Sequence, residues 1–229
     1  MCIVFFLVGC EIADIFFIVD SSGSIQEVDT NNWPRMLTFL KDVISQFGAT
    51  GGDIRFALVD FSDNAIVEFY LDTYSNIQDV INRIDTITYF GGRTDIADGF
   101  QVTREQTFNQ NGDRADAPNI VFLITDGIPN ERIADTGIEA ALTKATGARV
   151  ITVGITDAVD ANLLQELATD AGDYIPSATF SDLSGIVGSL VGSACPTFTP
   201  TPTPTPTPAP GEKTICKITF DNIHTVKLL

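Results

Sequence analysis

Histidine is almost missing from this chain: the one copy, His224, lies near the end, beyond a run of alternating threonine and proline. A serine nucleophile normally needs a base within reach, so a Ser-His-Asp triad is excluded for the serines in the body of the sequence. Basic residues are scarce as well, 13 Lys and Arg against 30 Asp and Glu, for a formal net charge of −17. A surface of that sign repels phosphate backbones and anionic lipid, which argues against nucleic acid as a partner. The same excess serves solubility or attracts cations. No apolar run reaches the roughly 20 residues needed to span a bilayer, so no direct membrane insertion is expected. No GxxxxGK[ST] occurs, and GATGGD (48–53) reads as a loop, not a phosphate cradle. Repeats of about 20–50 residues are not visible, which favours one domain.

The ends differ from the middle. MCIVFFLVG at the start is apolar but has no Lys or Arg before it. It reads as the remaining end of a secretory signal, while LVGC (7–10) has the form of a bacterial lipoprotein cleavage box. After Cys195, PTFTPTPTPTPTPAP cannot make a helix or a central strand and reads as an extended, glycosylatable spacer. The expected organisation is therefore a signal-like segment at 1–10, a folded domain at 11–195, a Thr-Pro spacer at 196–210, and a short tail or the start of a further module at 211–229. Cysteine is sparse: Cys2, Cys10, Cys195 and Cys216. Cys10 and Cys195 bracket the folded part, and a bridge between them would stabilise it by roughly 4–5 kcal/mol in chain-entropy models. Four cysteines allow three connectivities, and two free buried thiols are the alternative. A secreted or cell-surface location is the expectation.

Four stretches, DIFFIVD, IRFALVDF, NIVFLITD and RVITVGI, are nearly continuous apolar runs, the signature of strands buried on both faces of a parallel sheet. NAIVEFY alternates and reads as an edge strand. Between them, Trp33, Met36, Leu37, Leu40, Val43, Ile44 and Phe47 form one apolar helical stripe, with Asn32 as its cap and Pro34 in its first turn. Trp33 reads as a packed core aromatic. Further helices are expected at 77–84, 96–108, 133–146, 161–171 behind the cap Asp160, and 181–194. Strands alternating with helices mean right-handed crossovers and an open, doubly wound α/β sheet, mostly parallel, with helices on both faces.

Ligands of such sheets bind beyond the carboxyl ends of the strands, where the strand order reverses. DSSGS (20–24) leaves the first apolar run and TDG (125–127) leaves another, so Asp20 and Asp126 would face each other there. The glycine-rich FGGRTD (90–95) would bring Thr94 to the same rim. Mg²⁺ takes about six oxygens and keeps several waters. Ser22 and Ser24 are alternate residues whose hydroxyls a short loop turns inward, with Gly23 permitting the bend. Direct hydroxyl ligands with Asp20 and Asp126 acting partly through waters keep the site's charge low and one position open for a carboxylate.

These residues, Asp20, Ser22 and Ser24 in DSSGS, Thr94 in GGRTD and Asp126 in ITDG, resemble the complete metal-ion-dependent adhesion site of von Willebrand factor type A domains. CEIADIFFIVDSSGSI is similar to the openings of such modules in matrilins and collagen VI. The resemblance covers about 10–195. It implies a six-stranded sheet, a bound Mg²⁺ or Mn²⁺, an extracellular protein ligand such as collagen presenting Asp or Glu, and a final helix that moves in some members. Around Thr94 the chain departs from many relatives, which carry further threonines where this one has Arg93 and Asp95. Arg93 either steers an acidic ligand or is a solvated loop charge. Asp95 either adds charge at the rim or caps the following helix. The expected function is adhesion or matrix binding without catalysis. The alternative is a structural matrix module in which the metal only stabilises loops. Metal-assisted hydrolysis lacks a second basic group for proton transfer.

Overall fold

The computed structural model describes residues 11–195. The signal-like start, Cys2, Cys10, the Thr-Pro spacer and the tail with Cys216 and His224 lie outside the described residues. Each apolar run is a strand: β1 (Ile12–Asp20), β2 (Asp53–Phe61), β4 (Asn119–Thr125) and β5 (Arg149–Ile155). β3 (Ala65–Phe69) returns antiparallel to β2 as the edge strand. The sixth strand, β6 (Tyr174–Ser177), pairs parallel to β5 at the opposite edge. It could not be located from the sequence because it is four residues long and contains Pro176, which only an edge tolerates.

The sheet order is β3-β2-β1-β4-β5-β6, so the chain winds outward from β1 on one side and then crosses to β4 on the other. Odd residues of β1 (Ile15, Phe17, Val19) face one core and even ones (Phe16, Ile18) the other, all buried. This two-sided burial is why the runs lack alternation. Phe17 stacks between Phe56 of β2 and Phe122 of β4, with centroid separations of 6.2 and 5.7 Å, locking three strands in register.

One layer holds α2 (Asn32–Ala49), α3 (Ile77–Ile84) and α7 (Leu183–Ala194); the other holds α4 (Ile96–Gln106), α5 (Ile133–Ala145) and α6 (Ala161–Leu167). A short α1 (Ser24–Glu27) follows the first strand's loop. The α2 stripe is buried as expected, with Phe39 added and Leu37 at its margin. Asn32 does not cap α2. Asn31 occupies that position, and Asn32 Oδ1 instead accepts from Arg35 Nη1 inside the first turn. Asp160 does cap α6, but the helix stops at Leu167, and 171–173 is a separate 3₁₀ turn. In α7 the glycines 185, 188 and 192 lie on the exposed side, while Leu183, Val187, Leu190 and Val191 are buried against the sheet and α2.

Candidate metal centre

β1 and β4 are neighbours at the point where the strand order reverses, with Val19 opposite Ile124. Asp20 and Thr125 therefore end adjacent strands at the carboxyl edge of the sheet, and the loops that follow them share one crevice. Ser24 Oγ donates to Asp126 Oδ1 at 2.6 Å and lies 3.1 Å from Ser22 Oγ, a continuous chain of side-chain oxygens from both loops. Thr94 reaches the same place. A methyl group built on Gly127 would stand 3.5 Å from Ser24 Oγ and 3.7 Å from Thr94 Oγ1. Asp20, Ser22, Ser24, Thr94 and Asp126 are thus all at this crevice, and all but Ser24 are buried.

Backbone contacts hold the loops together. Gly91 and Gly92 are in the left-handed region, with φ of 72° and 97°, which only glycine adopts without strain. That conformation lets Gly91 N donate to Ser21 O at 2.8 Å and Gly92 O accept from Gly23 N at 2.9 Å. Gly23 itself has helical dihedrals, φ −58° and ψ −34°. Its glycine is explained by crowding, since a Cβ would lie 3.2 Å from Gly92 O, and not by the bend read from the sequence. Tyr89 Oη donates to Ser22 O at 2.8 Å and leans on Trp33, which is buried. Asn130 fixes Thr94 from the other side: its Oδ1 accepts from Thr94 N at 2.9 Å, and its own N donates to Thr94 O at 3.1 Å. Asp95 is buried and its carboxylate accepts from Asp98 N at 2.9 Å, capping α4. Arg93 is exposed, pairs with Glu131, and is anchored through its backbone N to Asp63 Oδ1 at 2.9 Å.

Among the described residues the two carboxylates have no positive partner. Asp20 is fully buried; Ser22 N donates to its Oδ1 at 2.8 Å and Thr125 Oγ1 to its Oδ2 at 2.5 Å. Among the described residues no arginine or lysine forms an ion pair with Asp20 or Asp126. Burial pushes the Asp20 carboxyl up to about 6, with nearby Asp126 adding to the rise and the Ser22 and Thr125 hydrogen bonds opposing it. Burial also raises Asp126 above the usual carboxylate range, against the Ser24 hydrogen bond. Buried carboxylates are ordinarily paired or bound to a cation. Two carboxylates and three hydroxyls, all hard oxygens, fit Mg²⁺ or a similar divalent ion. Among the described residues no group of three or more His, Cys, Asp or Glu side chains is placed to hold a metal, so hydroxyl oxygens have to be part of any such site.

Nothing in the sequence alone marks Thr125 or Tyr89 for these contacts. Thr125 stands inside the quoted ITDG, but its bond crosses to another strand; Tyr89 lies 67 residues from the carbonyl it holds. Cys195 is buried and is not a free thiol, while Cys10 lies outside the described residues.

The family model of the von Willebrand factor type A domain matches residues 14–188. The mouse collagen alpha-4(VI) chain is 30% identical over 190 residues, covering 82% of this chain and 8% of the collagen. Mouse matrilin-3 is 27% identical over 160 residues, covering 68% of this chain and 32% of the matrilin. The chain spans well under two thirds of the length of these relatives. Proximal thread matrix protein 1 of the mussel byssus, solved with zinc in its MIDAS motif, superposes with a TM-score of 0.74 at 31% identity, covering 82% of this chain and 46% of that one.

Proposed function

This chain belongs to the von Willebrand factor type A domain family, and from that premise we propose that it is an extracellular adhesion or matrix-binding module working through a divalent cation. The observation that carries the reading is the oxygen chain Ser22–Ser24–Asp126, joined by Thr94, beside a buried Asp20 with no cationic partner among the described residues. Asp20, Ser22, Ser24, Thr94 and Asp126 would hold the cation. Mg²⁺ is proposed, with Mn²⁺ as a substitute; the mussel relative carries zinc at its corresponding motif. When bound, the cation supplies an electrophilic position for the carboxylate of a partner's Asp or Glu. Thr125 and Ser22 N orient the Asp20 carboxylate, and Tyr89, Gly91 and Gly92 keep the two loops at fixed separation. Arg93 and Asp95 border the position, Arg93 at the exposed rim and Asp95 at the head of α4. Partners with this chemistry are collagen or another matrix or cell-surface protein. A bridge from Cys10 to Cys195 would join the two ends of the domain. The proposed role is binding and not catalysis.

The test is retention of the protein on immobilised collagen with Mg²⁺, with chelator, and after the collagen carboxyls are blocked by amidation. The reading expects binding only with Mg²⁺ and free carboxyls, and loss of binding in Thr94→Ala while the circular dichroism spectrum is unchanged. Binding that survives both chelator and Thr94→Ala would overturn it. A cation that raises the melting temperature without changing retention would assign the metal to loop stabilisation in a structural module.

A further inference from the structure

The outward face of α5 is unlike that of the other long helices. On α2, α3 and α4 the exposed positions are largely polar, for example Asp42, Gln46, Asp79, Asn82, Glu105 and Gln106. On α5 the most exposed positions are apolar over three turns, with the half-exposed Asp135 side chain at their flank. Ile133, Ile138 and Leu142 are 64%, 56% and 45% exposed, and the small exposed residues that accompany them are Ala134, Gly137, Ala141 and Ala145. An apolar strip on an exposed helix stands out in a chain of net charge −17 and is open to a contact with another surface. Its charge is balanced: α5 carries Asp135, Glu139 and Lys144, with Arg132 at its cap. Two acidic molecules repel one another least across such a face.

The order of large and small residues identifies what covers it. A two-fold axis through the middle of the face, with the helices antiparallel, sets Ile138 opposite Ala141, Leu142 opposite Gly137, and Ala134 opposite Ala145. Ile138 and Leu142 then each meet a small residue on the other copy, while Ile133 falls at the edge of the contact, and nothing lies within 4 Å of a Cβ built on Gly137, so that hollow is open. Antiparallel pairing also opposes the helix dipoles favourably, and an isologous contact of this kind closes as a dimer. We propose that the outer face of α5 is a self-association surface on which a second copy of this chain docks its own α5. A 13-residue helix is about 20 Å long and roughly 10 Å wide. Its footprint of roughly 200 Å² is far below the about 800 Å² per partner of a stable interface, so the association is weak and concentration-dependent.

Sedimentation equilibrium of the full chain, from low to high micromolar concentration, tests this. The expected result is a reversible monomer–dimer equilibrium that persists in chelator, because α5 carries none of the metal-site oxygens. Ile138→Glu and Gly137→Gln should each weaken it by at least about tenfold. Gly137→Gln fills open space and improves helix propensity, so its effect is not attributable to unfolding. Ser45→Glu on the outer side of α2 should leave the equilibrium unchanged. A wild-type monomer at every concentration overturns the proposal and leaves the face to a different chain. A dimer that neither α5 variant weakens overturns it too.

Discussion

Asp60, on β2, is buried one strand away from the metal-site oxygens. Ser21 Oγ donates to its Oδ1, while its Oδ2 has no hydrogen-bond partner among the described residues, and burial pushes its carboxyl up to about 8, with Glu68 and Asp20 adding to the rise. A folded value above the unfolded 3.8 means that the native state holds the proton more tightly. Its contribution is therefore present below about pH 4 and is lost as pH rises toward 8, at a slope of at most about 1.4 kcal/mol per pH unit. Asp60→Asn keeps an acceptor for Ser21 and cannot ionise. Urea unfolding in chelator between pH 5 and 8 should show wild-type stability falling relative to the variant. A stability difference that is flat with pH would mean that Asp60 ionises normally in the fold. This residue was not legible as special in the sequence, because IRFALVDF reads as a strand whether or not its acid is solvated.

Among the elements, the strands buried on both faces were the most legible, since continuous Ile, Val, Leu and Phe have one structural use at that length. β6 and α1 were not, because four residues carry too little periodicity to register. The boundaries of α2 and α6 shifted where local capping and tertiary packing decided the end. Gly99 of α4 shows what the periodicity hides. A Cβ there would lie 2.8 Å from Ile18 Cγ2 and 3.2 Å from Phe61 Cδ1, so the helix rests directly on β1 and β2. Gly99→Ala, ordinarily favourable in a helix, should instead destabilise the domain by about 1–3 kcal/mol through overpacking. Because α4 follows Thr94 directly, the same variant should weaken cation binding. An increase in melting temperature would show that α4 can move away from the sheet at little cost.

At the scale of the whole molecule, the doubly wound topology does what the sequence could only imply: it brings Asp20, Thr94 and Asp126, which are 32 to 106 residues apart, to one edge. The site oxygens were legible because their residue types and order are distinctive, whereas the tyrosine, threonine and asparagine that steady them act through contacts visible only in three dimensions. The central claim is that these oxygens exist to hold a divalent cation. Isothermal calorimetry of Mg²⁺ added to chelator-stripped protein, with Asp20→Ala alongside, tests it most directly. The account predicts saturable binding of a single ion by the wild type and none by the variant, with both folded by circular dichroism. Absence of binding in the wild type, or equal binding by the variant, would contradict it.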